Sequence, residues 1–274
     1  MKTLARRRAT NVAALAGITL LLTLGIRGLT SHLYRTSLAT GWLLLALVVA
    51  LASFNTRKKL PFIPMGRAST WLQFHLYGGL LAAVLFLFHT HGRVPRGVLE
   101  TALAAVFVLV VGSGVAGILL SRGFARRLTS RGQDVIFERI PALRRRIRER
   151  AEGLALASVD QYGTTALADF YTRFLASYFQ GPRNIWHHLV ESKRPRLMWN
   201  EEFALLDRYL NDAERECARD LSELVLLKGD LDYHTALQGA LKVWLFVHIP
   251  LTYVLLILGF FHGLLAQAFA VGSR

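Results

Sequence analysis

Apolar residues in this chain are gathered into long runs joined by short polar turns, with one long polar stretch near the end. The runs cover 12–30, 38–54, 71–91, 98–121 and 240–270. Each is long enough, as a helix rising about 1.5 Å per residue, to cross most or all of a hydrocarbon layer about 30 Å thick. A spanning segment must satisfy its own backbone hydrogen bonds, which leaves the helix as the fitting element. The pattern predicts an all-α transmembrane bundle of five spans. The polar stretch makes a helical insert between spans four and five. The chain then divides into 1–121 (spans one to four), 122–238 (the insert) and 239–274 (span five and tail).

The first run follows Lys2, Arg6, Arg7 and Arg8, the arrangement a signal peptide also shows. No small-x-small cleavage site follows it. Arg27, Ser31, His32 and Arg35 lead straight into the second run, so it reads as an uncleaved span with His32 in an interfacial loop. The stretch Asn55–Thr70, with Pro61 and Pro64, predicts a loop.

Within the insert, residues 134–151 form a basic helical pattern suited to a membrane surface. Leu167, Phe170, Phe174, Leu175 and Tyr178 recur at helical spacing over 160–180. Over 200–228 one stripe holds Phe203, Leu206, Leu210, Ala213, Cys217, Leu221 and Leu224. Gly229-Asp230-Leu231-Asp232 predicts a turn and a new helix start with Asp as N-cap, and Pro250 predicts a kink in the last span. His187 and His188 are adjacent, diverge on any regular element, and read as surface residues.

Charge sets the expected orientation. The formal net charge is +15, and Arg and Lys crowd the amino terminus, the 55–70 loop and the insert. In the insert the run comprises Arg122, Arg126, Arg127, Arg131, Arg139, Arg144, Arg145, Arg146, Arg148 and Arg150. The 27–37 and 92–97 turns carry two basic residues each. Positive residues remain on the cytoplasmic side, so the amino terminus and the insert are expected there, in an inner (plasma) membrane. Anionic lipid head groups are the natural partners of the arginine run. Nucleic acid is not, because the run abuts a span and no aromatic platform accompanies it. The single cysteine, Cys217, excludes an internal disulfide and a cysteine-held iron–sulfur cluster, and without a C-x-x-C-H there is no c-type haem attachment. No dinucleotide or P-loop signature occurs.

The chemistry lies in four histidines. His75 and His89 stand fourteen residues apart in the third run, and His248 and His262 fourteen apart in the fifth. That interval is close to four helical turns, so each pair projects from nearly one face with about 21 Å along the axis between its members. Ionisable residues at membrane depth are costly and tend to be functional. Spans three and five run in the same direction, and both pairs enter at matching depth. His75 is therefore expected to face His248, and His89 to face His262, as two stacked bis-imidazole sites for two b haems. Arg93 and Arg96 outside, and Arg67 and Lys242 inside, are candidates for the haem propionates or for simple interfacial anchoring. Gly78, Gly79, Gly112, Gly114 and Gly117 leave room either for close helix packing or beside a flat macrocycle.

These residues resemble known families. Two His-x13-His pairs on two helices look like the di-haem core of cytochrome b in quinol–cytochrome c oxidoreductases. Their placement on the third and fifth spans also resembles the ferric reductase and NADPH oxidase transmembrane domain. The resemblance covers about 70–122 and 240–270. It lacks the Pro-Glu-Trp-Tyr motif of a quinol site, and there is no flavin or nicotinamide domain. It implies that His75, His89, His248 and His262 are axial haem ligands in the membrane cytochrome b subunit of an oxidoreductase complex. Such a subunit links the quinone pool to a peripheral multihaem c-type or iron–sulfur partner. His91, Arg96 and Glu100 at the outer ends of spans three and four are candidates for the quinone. His234, fourteen residues before His248, extends the register and raises a third haem with His187 or His188, against an ordinary helix-start histidine. The competing class is a non-redox scaffold or transporter subunit whose intramembrane histidines join helices.

Overall fold

The computed structural model of the chain describes residues 36–59, 67–129, 135–163 and 165–272, with six isolated helical positions before residue 36. The first apolar run, His32, Pro61 and Pro64 lie largely or wholly outside the described residues. Among the described residues the protein is all helical, with no strand. Helix α1 covers Thr36–Lys59, α2 Ala68–His89 and α3 Val98–Thr129. Then come α4 (Ile140–Tyr162), α5 (Ala166–Phe170), a π turn (Tyr171–Leu175), α6 (Ala176–Gln180), α7 (Ile185–Leu189) and α8 (Arg194–Leu206). The last, α9, runs unbroken from Asp212 to Gly272.

Four of these helices are long and apolar enough to cross a membrane: α1, α2, α3 and α9. Their apolar windows are only 17%, 17%, 11% and 6% buried inside the protein. Side chains such as Leu72, Leu87, Val108, Leu119, Phe246 and Phe269 therefore point outward. Exposed apolar surface on this scale suits lipid and not water. The chain is a multi-pass α-helical membrane protein.

The chain forms two compact units, one from residues up to Ala116 and from Phe246 onward, the other from Gly117 to Leu245. In the first, Val48, Leu51, Ala82, Phe107 and Leu255 make a small core. Phe86 and Phe107 stack there with ring centres 4.3 Å apart. Gly78 gives α1 room to come close, since a β-carbon on it would meet Leu51 Cδ2 at 2.8 Å.

The second unit has a larger core around Leu167, Leu175, Phe179, Leu221 and Val225. Helix α4 enters through Pro141 in its first turn and stops at Gly163, which adopts φ 65° and returns its N–H to the Val159 carbonyl. Three expectations change in this unit. The 200–228 stripe is not one helix: α8 ends at Leu206, a single 3₁₀ turn follows, and α9 begins at Asp212. Leu210, Leu221 and Leu224 are buried, whereas Ala213 is exposed. The π turn shifts the register of 160–180 and leaves Phe174 47% exposed. No helix starts at 229–232, which lies inside α9.

Helix α9 starts instead at a reciprocal cap. The Glu214 N–H donates to Asn211 Oδ1 at 2.8 Å, and the Asn211 N–H donates to Glu214 Oε2 at 2.9 Å. Asp232 is used differently, as the buried partner of Lys228 one turn earlier, with Nζ donating to Oδ2. Both side chains are almost completely buried. Burial pulls the lysine down to about 8, against the attraction of the carboxylate, and pushes the Asp232 carboxyl up. The Arg183 backbone N–H donates to the same carboxylate at 3.1 Å, and Arg144 stands 3.7 Å from its other oxygen.

Candidate functional site

Helices α2 and α9 carry the four histidines, and the first unit brings them together in two pairs. The ring centres of His75 and His248 are 6.3 Å apart, with planes at 78°. Those of His89 and His262 are also 6.3 Å apart, with planes at 85°. Two contacts in the same order along both helices mean that α2 and the end of α9 run parallel. All four rings are half-buried.

Three of the rings are held at Nδ1 by an oxygen from a neighbouring helix. His75 Nδ1 lies 3.1 Å from the Leu51 carbonyl of α1. His89 Nδ1 lies 3.2 Å from Thr40 Oγ1, also on α1. His248 Nδ1 lies 2.7 Å from Ser113 Oγ on α3. The carbonyl can only accept. Each hydroxyl already donates its one proton within its own helix, Thr40 to the Ser37 carbonyl at 3.0 Å and Ser113 to the Val110 carbonyl at 2.9 Å. His75 is therefore a donor, and with the hydroxyl protons placed on those carbonyls His89 and His248 are donors too. Their protons sit on Nδ1, and the lone pair is left on Nε2. That is the state a metal-ligating histidine needs, with its far nitrogen bonded to a fixed acceptor.

The separation of the rings can be set against what two imidazoles need to hold one metal ion between them. A metal–imidazole bond of about 2 Å, with the nitrogen about 1.1 Å from its ring centre, places two opposed ligands with centres about 6 Å apart. Both pairs stand at that separation. Beside His89 and His262 an apolar cleft opens between Leu38, Leu45, Val48, Phe86 and Leu103. Gly41 lines it too, and a β-carbon there would come within 2.9 Å of His89 Cε1. Gly114 lies beside the other pair, its β-carbon position 3.7 Å from His248 Cε1. Gly117 instead packs against the Trp244 indole, and Gly79 and Gly112 face open space. Gly41→Leu is expected to displace the His89 ring and weaken the site it shares with His262, leaving the His75–His248 site intact. Haem content of the purified variant measures this.

The other candidate residues are more dispersed. Arg67, Arg93 and Arg96 are exposed, the first before α2 and the others in the turn after it. Lys242 belongs to the second unit, where its ammonium lies 2.7 Å from Glu138 and 3.9 Å from the Phe137 ring centre. That ion pair holds the Glu138 carboxyl below the usual carboxylate range, chiefly through the lysine hydrogen bond. His91 sits in the turn with φ 51° and is exposed, as is Glu100 in the first turn of α3. No hydrogen bond or ion pair joins His91, Arg96 and Glu100 among the described residues.

His188 is not a surface residue. It is buried at 8% exposure, with its ring edge-on to Tyr233. His187 is exposed as expected. His234 is not at a helix start but buried mid-helix at 3% exposure. Gln238 Nε2 lies 2.8 Å from the Val135 carbonyl, which it can only approach as a donor, and 3.3 Å from His234 Nδ1. His234 Nδ1 therefore accepts, and the proton sits on Nε2. This is the opposite tautomer from that of the paired histidines. Among the described residues no cluster of three or more His, Cys, Asp or Glu could hold a metal ion. An axial haem site needs only two.

Thr40 and Ser113 are the residues beside the histidines that the sequence reading missed. Hydroxyls inside apolar helices at 40 and 113 were the available signal, but nothing local ties them to histidines 49 and 135 residues away. No family model, curated protein or solved structure matches the chain.

Proposed function

We propose that the chain is the membrane cytochrome b subunit of a redox complex, carrying two b haems, one between His75 and His248 and one between His89 and His262. The observation that carries this reading is two imidazole pairs at ligand separation, with three of the four rings held in the ligating tautomer. Haem with two axial imidazoles supplies one-electron transfer without an open position for oxygen. The chain's own residues hold three of the rings at Nδ1 and line the cleft beside His89 and His262 with apolar walls.

The arrangement in the membrane follows from charge. The apolar run at 12–30 supplies a fifth span, and the amino terminus and basic insert face the cytoplasm of an inner (plasma) membrane. Anionic lipid meets the exposed arginines of α4. The exposed turn with His91, Arg96 and Glu100 is where a quinone would exchange protons, and a multihaem c-type or iron–sulfur protein would take or supply the electrons.

The purified chain is expected to carry two haems and to show a b-type band in the reduced-minus-oxidised spectrum. A second reading also has support. The Nδ1 hydrogen bonds join α2 and α9 to their neighbours, as a non-redox scaffold or transporter would use them. A protein expressed with ample haem that shows no b-type band would decide for that reading.

A further inference from the structure

The two hydroxyls that bond the histidines come from helices that bear no ligand. Thr40 on α1 serves His89, and Ser113 on α3 serves His248. Each hydroxyl has one proton and gives it to a carbonyl three residues back. With its proton so placed, each meets the imidazole as an acceptor. An acceptor at Nδ1 does two things. It excludes the tautomer that puts the proton on Nε2, and it draws Nδ1–H toward itself, making Nε2 more basic. A more basic axial ligand favours the oxidised, more positive iron. Ser113 bonds a ring of the His75–His248 pair and Thr40 a ring of the His89–His262 pair, so the two effects are separable.

We infer that Ser113 and Thr40 are positioning residues. Each fixes one ligand's tautomer and holds down the midpoint potential of one haem, Ser113 for the His75–His248 site and Thr40 for the His89–His262 site. This rests on the di-haem reading. Helix α1 serves both pairs through Leu51 and Thr40. Leu51 acts through its carbonyl and no side-chain change removes it. The serine and the threonine are therefore the positions where the tuning is open to mutation.

Redox titration of the full-length protein in detergent, followed in the b-type band, is the test. Ser113→Ala is expected to shift the oxidised-to-reduced ratio of one haem about tenfold toward reduced at fixed potential, about 59 mV for a one-electron couple. The other haem should not move. Thr40→Ala should shift the other haem alone, while Ser113→Thr and Thr40→Ser restore wild-type midpoints. Affinity of the haem-free protein for added haem is the second readout, with a loss of about 10- to 100-fold expected in each alanine variant. Two haems whose midpoints and affinities ignore both substitutions would overturn this inference and leave the di-haem reading standing. So would a shift of both haems together. A wild-type protein that binds no haem overturns the reading itself.

Discussion

Alanine at His75 or at His248 is expected to remove, or convert to high spin, one and the same haem and to leave the other spectrum nearly intact. Alanine at His89 or at His262 should do the same to the second haem. The partition comes from the parallel run of α2 and the end of α9, with ring centres 6.3 Å apart at both levels. An antiparallel arrangement would pair His75 with His262. A shared spectral change in His75→Ala and His262→Ala would therefore overturn both the pairing and the topology. On the proposed di-haem reading the effect is large because the Phe54 ring, its centre 5.3 Å from that of His75, offers no lone pair to replace the lost imidazole.

The second large effect is on stability and lies away from the histidines. Lys228→Met is expected to destabilise the second unit by about 3 kcal/mol, the low end of what breaking a buried ion pair costs. The low end applies because Arg144 and the Arg183 N–H still face the Asp232 carboxylate. Lys228→Met combined with Asp232→Leu should recover most of the loss, since neither charge then remains buried. Denaturant unfolding followed by near-ultraviolet circular dichroism measures both. A double variant no more stable than Lys228→Met would show that the aspartate is held by more than its lysine.

Much of the candidate site was legible because its two signals are local. Apolar runs mark spans by length, and a fourteen-residue histidine interval marks a face by helical period. Depth and direction then predict which histidine meets which. The insert was harder to read, because its elements are decided by distant partners. Gly229 and Asp232 look like a helix boundary on propensity. Yet the aspartate is spoken for by Lys228 one turn back, and the apolar residues that follow are packed with side chains of α3 and α7. The true start, Asn211 with Glu214 three residues on, carried the capping-box pattern but lay inside an apolar stripe that read as continuous. His188 was misplaced for a similar reason: adjacency to His187 says that the two diverge, not which of them turns inward.

The parallel register also dictates an order of assembly. Both partners lie 173 residues downstream, His248 for His75 and His262 for His89. At a synthesis rate of 5–20 residues per second, roughly 9–35 s separate a ligand from its mate on the growing chain. Helices α1 and α2 are neighbours in sequence, and the contacts of His75 with Leu51 and of His89 with Thr40 lie wholly within them. These two contacts need nothing from α9. Neither site is complete until the end of α9 arrives, and whatever fills the sites must enter after that segment or wait for it on a single ligand.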